Sequence, residues 1–180
     1  TAPRLPNFDQ PIGELENRMT MTSSQNLQSS GLYTQDQRSR RDTTVWTTVQ
    51  GILAPLQFLV FLVSLFLVIS YMITGLGYEI MTVSIIAKTL LLYIIMITGA
   101  IWEKVVFGQW LFAPAFFWED VVSFGVIALH SLYIYGLIQG TISADTLVLI
   151  ILAAYASYVI NAGQFLWKLR VARLQMEGAS

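Results

Sequence analysis

Cysteine is absent from the 180 residues and histidine occurs once, at His130. The first absence excludes disulfides, thiolate metal sites and cysteine nucleophiles, and it leaves the redox compartment open. The second excludes a multi-histidine metal centre within one chain. Charge is scarce as well. Asp, Glu, Lys and Arg make up 12% of the residues and 55% are hydrophobic, whereas an ordinary soluble domain is about 25% charged. Much of this surface therefore does not face water. The net charge of −1 offers nucleic acid nothing to recognise. Gly-rich phosphate loops, nucleophile elbows and metal motifs are missing, and no apolar run that would make a cleavable signal peptide opens the chain.

What is present in excess is long apolar sequence. Four stretches, residues 49–74, 79–101, 121–140 and 146–169, each reach the ~20 residues that carry a helix across a bilayer. Backbone groups in lipid must be satisfied within the segment, so helices are the expected form. Gly75 and Gly77 punctuate the first turn, Gly140, Thr141 and Ser143 the third, and Asp145 is the expected cap of the last helix. Gly136 and Gly140 have the GxxxG spacing of close helix packing. Residues 1–31 read as a polar arm rich in Ser, Thr, Gln and Asn with Pro3, Pro6 and Pro11. Thr34 and Gln37 have capping-box spacing ahead of a charged surface helix. Residues 175–180 form a short tail.

Arg38, Arg40, Arg41, Lys104, Lys168, Arg170 and Arg173 fall on one side of a four-span arrangement, and the opposite loops carry no Lys or Arg. The positive-inside rule places that side, with both termini, in the cytoplasm. The expectation is an all-α integral membrane protein, a four-helix transmembrane bundle. Between its second and third helices, residues 105–120 are too interrupted by Gly108 and Pro114 to span, and they are rich in aromatics. They read as an interfacial or re-entrant element, or more plainly as an aromatic belt.

Each span carries polar residues at helical spacing: Gln50, Gln57 and Ser64; Ser84 and Lys88; Glu119, Ser123, His130 and Tyr133; Ser157, Asn161, Gln164 and Lys168. Interhelical hydrogen bonding explains the neutral ones. Ionisable groups at depth are functional candidates: Lys88, His130, Glu103, Glu119 and Asp120. His130 can ligate a metal such as a chlorin magnesium, shuttle a proton, or bond a neighbouring helix. An acidic mouth walled by aromatics suits a large flat apolar ligand better than an ion. A small transporter ranks lower, because no inverted repeat is visible.

The runs WTTVQGILAPLQF (residues 46–58), GAIWEKVVFG (99–108), LFAPAFFWED (111–120) and YVINA (158–162) resemble the 3-vinyl bacteriochlorophyllide hydratase family of anoxygenic phototrophic bacteria, called 2-vinyl in older nomenclature. The resemblance covers about residues 32–174, the expected catalytic domain. It implies addition of water across the C3 vinyl group of a magnesium-chlorin substrate, a chlorophyllide or bacteriochlorophyllide, in bacteriochlorophyll a synthesis. The product carries a 3-(1-hydroxyethyl) group. Water is the co-substrate and no cofactor is required. The setting is a bacterial inner, intracytoplasmic membrane. Such hydration needs an acid able to protonate carbon, a held water and a base. Glu119 and Glu103 are the candidate acids and Asp120 the alternative base. Asn161 and Gln164 are candidates to hold water. Trp102, Trp110, Phe117 and Trp118 can stack on the macrocycle, and His130 can bind its magnesium. Two other readings stand beside the enzyme: a non-catalytic subunit of a photosynthetic membrane complex, and a chlorophyllide carrier or assembly factor. In either, the N-terminal arm would meet pigment-synthesis enzymes or photosystem subunits.

Overall fold

The computed structural model describes residues 32–177. The expected arm over residues 1–31 lies outside the described residues, as do residues 178–180 of the expected tail. The described residues form five helices and no strand: α1 Gln35–Thr43, α2 Val45–Thr74, α3 Tyr78–Phe107, α4 Phe117–Gln139 and α5 Ala144–Glu177. The last four are long and apolar enough to cross a membrane.

Local chemistry sets the boundaries. Thr34 caps α1 in a complete capping box, its hydroxyl accepting from Gln37 N at 3.3 Å while Gln37 Oε1 accepts from Thr34 N at 2.9 Å. Thr44 caps α2 by accepting from Trp46 N. The cap of α5 is Ser143, not Asp145 as the sequence suggested. Ser143 Oγ accepts from Thr146 N, and Asp145 falls inside the first turn. There its carboxylate still favours the helix N-terminus. The spans also outrun the apolar stretches. α3 continues through Trp102, Glu103 and Lys104 to Phe107, and α4 begins at Phe117. Apolarity marks the part of a helix that meets lipid, whereas helical hydrogen bonding continues until a residue breaks it. Here Gly108, at φ 84°, is that residue. The segment expected at 105–120 thus divides, and only residues 108–116 are non-helical.

α2 and α3 pack as one tight hairpin and α4 and α5 as another; α3 meets α4, α2 touches α5 sparsely, and α1 lies against α3. The buried faces follow the heptad spacing of each helix: Gln57, Phe61, Ser64 and Val68 on α2; Met81, Ile85, Lys88 and Leu92 on α3; Glu119, Val126, His130 and Tyr133 on α4. Phe61, Val68, Met81, Ile85, Val126, Tyr133, Ile151 and Tyr155 form the main core. The outward faces are apolar too, among them Phe66, Ile73, Ile97, Ile138 and Leu166. Several polar seams close on one another as interhelical bonds: Gln50 to Thr98 at 2.7 Å, Ser64 to Ser84 at 2.8 Å, Ser64 with Tyr155 at 2.5 Å, and Tyr93 with Ser131 at 2.7 Å.

Candidate functional site

A second, smaller cluster sits where α3 ends and α4 begins. Tyr33, Val106, Phe116 and Ala172 are buried there against Trp102, Phe107 and Phe165. The Trp102 ring meets Phe107 and Phe116 edge-on, and its Nε1 donates to Thr47 Oγ1 at 2.9 Å. Thr47 Oγ1 in turn donates to the carbonyl of Arg41, so the wall is tied to the junction of α1 and α2. Tyr33 stacks on Phe107 beneath the Arg41 guanidinium, and burial raises its phenol above the ordinary value against the pull of that cation.

The acidic group lies beside this aromatic wall. Glu103, Glu119 and Asp120 are all buried. Glu103 comes from the last turn of α3, Glu119 and Asp120 from the first turn of α4. As consecutive residues on a helix, Glu119 and Asp120 point in different directions, and the structure gives them different partners. The carboxyls of Glu103 and Asp120 lie side by side, close enough to share a proton. One oxygen of each is held by consecutive backbone donors of the connecting loop: Phe112 N to Asp120 Oδ2 at 2.6 Å, and Ala113 N to Glu103 Oε2 at 3.2 Å. Phe112 has φ 58°, unusual for a bulky residue. A left-handed residue in a turn lets successive N–H groups converge on anionic oxygens. The Phe112 ring, stacked on Phe124 at 5.4 Å, holds this backbone in place.

Glu119 turns toward α5. Its Oε2 accepts from Lys168 Nζ at 2.7 Å, and Lys168 also donates to the carbonyl of Ala115. Asn161 Nδ2 donates to the Glu119 carbonyl at 2.9 Å and to Ser123 Oγ at 3.0 Å. Its amide nitrogen is therefore a tie between α4 and α5. Gln164, one turn further along, keeps a buried Oε1 with no hydrogen-bond partner. Glu103, Glu119, Asp120, Asn161 and Trp102 are thus gathered at one end of the bundle. Phe117, Trp118 and Trp110 are exposed around it. Phe117 and Trp118 meet edge-on, and Lys104 Nζ lies 6.0 Å from the Trp110 ring centre.

His130 stands apart. It lies three turns along α4 from Glu119, about 16 Å in axial rise, and it is fully buried. Its Nδ1 contacts the Val126 carbonyl at 2.8 Å, and its Nε2 has no partner. Since a carbonyl only accepts, Nδ1 carries the proton and Nε2 presents a lone pair.

Sequence reasoning did not single out Lys168 as a site residue, although it sits on the same α5 seam as Asn161 and Gln164, and that spacing was the available signal. The Phe112 and Ala113 amides had no signal, because a backbone donor's direction depends on dihedrals and not on residue type. No group of three or more His, Cys, Asp or Glu side chains among the described residues is arranged to hold a metal ion.

Comparison with known proteins places this geometry. A family model described as 2-vinyl bacteriochlorophyllide hydratase (BCHF) matches residues 33–171. The 2-vinyl bacteriochlorophyllide hydratase of Rhodobacter capsulatus is 67% identical over 154 residues, covering 85% of this chain and 89% of the relative. That of Cereibacter sphaeroides is 69% identical over 148 residues, covering 82% and 92%. No solved structure matches. A match over most of both chains, taking in α1 to α5 and the acidic end, means that this chain belongs to the 2-vinyl bacteriochlorophyllide hydratase family.

Proposed function

We propose that this chain hydrates the vinyl group of a bacteriochlorophyllide, adding water to give the 1-hydroxyethyl substituent; it is a hydro-lyase of bacteriochlorophyll synthesis. The observation that carries this reading is the identity of 67–69% with curated hydratases over nearly their full length.

The adjacent pair of Glu103 and Asp120 is our choice for the proton chemistry. One carboxyl of the pair gives its proton to the terminal vinyl carbon, so the C=C π bond breaks and a C–H bond forms. The inner carbon becomes a cation that the macrocycle stabilises by conjugation. Water attacks that carbon, forming the C–O bond, and its proton passes to the carboxylate just left behind or to its partner. The pair ends the cycle with the single proton it began with. Two carboxyls in contact cannot both ionise readily, which is the logic of a paired acid and base. The loop amides at Phe112 and Ala113 hold one oxygen of each carboxyl. Glu119, ion-paired to Lys168, serves as a charged brace. The unpartnered Gln164 Oε1 can accept a hydrogen bond from the attacking water. The exposed collar of Trp110, Phe117 and Trp118, with Trp102 behind it, offers flat surfaces for the macrocycle.

Residues 32–174 act in this reading as the hydratase unit, with residues 1–31 as an added arm. α2 to α5 cross a bacterial inner membrane with both termini cytoplasmic. Thirty residues of α3 rise about 45 Å, well beyond the ~30 Å hydrocarbon core. The acidic end therefore reaches the headgroup layer, where water is available, and the connecting loop is interfacial. Incubating membranes that contain the protein with 3-vinyl bacteriochlorophyllide in oxygen-18 water tests the activity. The expected product is a hydroxyethyl pigment one oxygen-18 heavier than its unlabelled counterpart. A folded protein that binds the pigment and yields no such product would instead be a carrier or a photosystem subunit.

A further inference from the structure

The acidic end leaves a second polar group unexplained in the middle of the bundle. Lys88 is completely buried. Its ammonium lies 3.6 Å from the centre of the Tyr158 ring and 5.9 Å from that of Phe61, and its Nζ has no hydrogen-bond partner. The ion pairs among the described residues, Arg41 with Asp42 and Lys168 with Glu119, do not involve it. Gln57, one turn before Phe61 on α2, is buried with neither amide atom bonded. His130 is fully buried as well, and its Nε2 is also unpartnered.

An unpaired ammonium is among the most costly groups to hold at membrane depth, and such residues face a partner or a pathway. The π faces of Tyr158 and Phe61 compensate part of that cost. They accept no conventional hydrogen bond and bring no net charge. A divalent cation is excluded beside an ammonium by repulsion. What this site lacks is a negative charge with acceptor oxygens, within reach of the Lys88 ammonium and the Gln57 amide N–H.

We propose that Lys88, assisted by Gln57, is the anchor for the free propionate carboxylate of the substrate. This inference rests on the hydratase reading, since a bacteriochlorophyllide differs from the finished, esterified pigment in carrying that group as an acid. Lys88 and Glu103 share α3 and are separated by about 22 Å of helix. In this reading the propionate points to mid-bundle and the vinyl group to the acid pair, the lysine stem, propionate arm and macrocycle bridging that interval. Phe61 on α2 and Tyr158 on α5 meet across the seam between the two hairpins with ring centres 4.9 Å apart, so an elongated substrate entering there must part them.

The test compares 3-vinyl bacteriochlorophyllide with its propionate methyl ester, by absorbance titration for Kd and by oxygen-18 incorporation for turnover, on the full chain in detergent. Wild type is expected to bind the acid about ten-fold or more tighter than the ester, the worth of a hydrogen bond to a charged group. Lys88→Met, of similar shape, is expected to bind acid and ester alike, and Lys88→Arg to keep a preference for the acid. Equal affinity of wild type for the two pigments overturns the anchor and leaves Lys88 solvated by internal water. Retention of the preference in Lys88→Met overturns it too. If Lys88→Met does not fold, the wild-type comparison alone decides. The two readings fail separately: hydration of both pigments at equal Kd keeps the hydratase and removes the anchor, whereas acid-selective binding without turnover keeps the anchor and removes the hydratase.

Discussion

At the scale of single residues, the proposed proton chemistry makes activity depend on Glu103 and Asp120. Both carboxyls are buried, and each accepts one loop amide. Amide replacements keep those acceptors and remove the acid. Glu103→Gln and Asp120→Asn are each expected to lower turnover by about 100-fold or more, the usual contribution of general acid–base catalysis. Pigment affinity should change little. Single-turnover oxygen-18 incorporation set against a Kd titration separates the two effects, and a variant with wild-type turnover would remove its residue from the proton path. In the sequence Glu119 and Glu103 are the candidate acids, because both border the aromatic loop, and Asp120 is the alternative base. Which of them faces a second carboxyl and which faces Lys168 depends on the crossing of three helices.

At the scale of elements, two glycines do opposite work. Gly108 ends α3 at φ 84° with open space around it, so a Cβ there meets nothing and only the backbone objects. Gly108→Ala is expected to cost about 1–2 kcal/mol, the penalty of a left-handed L-residue, and to disturb the loop that carries the Phe112 and Ala113 amides. Gly136 has ordinary helical backbone, but a Cβ would come within 2.7 Å of Ile142 Cδ1 and 2.9 Å of Leu147 Cδ2. Those are flexible side-chain ends that yield to a methyl group and not to an isobutyl one. Gly136→Leu should therefore destabilise the α4–α5 hairpin by about 1–3 kcal/mol, with little change in turnover per folded molecule. Thermal unfolding in detergent, run beside activity, distinguishes the pair: Gly108→Ala should lose activity while folded, and Gly136→Leu should lose fold.

For the whole molecule, the distribution of Lys and Arg governs orientation. The absence of cysteine makes that testable without a background. Gln109→Cys lies in the loop after α3 and Ser143→Cys in the turn before α5, at opposite ends of the bundle. In sealed inside-out vesicles a membrane-impermeant maleimide should label Gln109→Cys and not Ser143→Cys, and in right-side-out vesicles the reverse. Labelling of both from one side would overturn the four-span topology.

The sequence by itself determined the parts that depend on local or one-dimensional physics. Twenty-residue apolar runs give helices long enough to cross a membrane, helical spacing selects the inward face of each, and one-sided Lys and Arg carry the expected orientation that the vesicle labelling tests. Gln57, Ser64 and His130 were legible as inward-facing polar positions for that reason, whereas Lys88 had two readings, snorkelling to the outer surface or pairing with an acid. Only the tertiary structure decided which of them find partners. Ser64 meets Ser84 and Tyr155, while Gln57, Lys88 Nζ and His130 Nε2 have no hydrogen-bond partner among the described residues. It likewise paired Glu103 with Asp120 and Glu119 with Lys168. Those pairings are set by rotation and crossing of helices far apart in the chain and by the dihedral of Phe112, and periodicity along one helix carries no information about either.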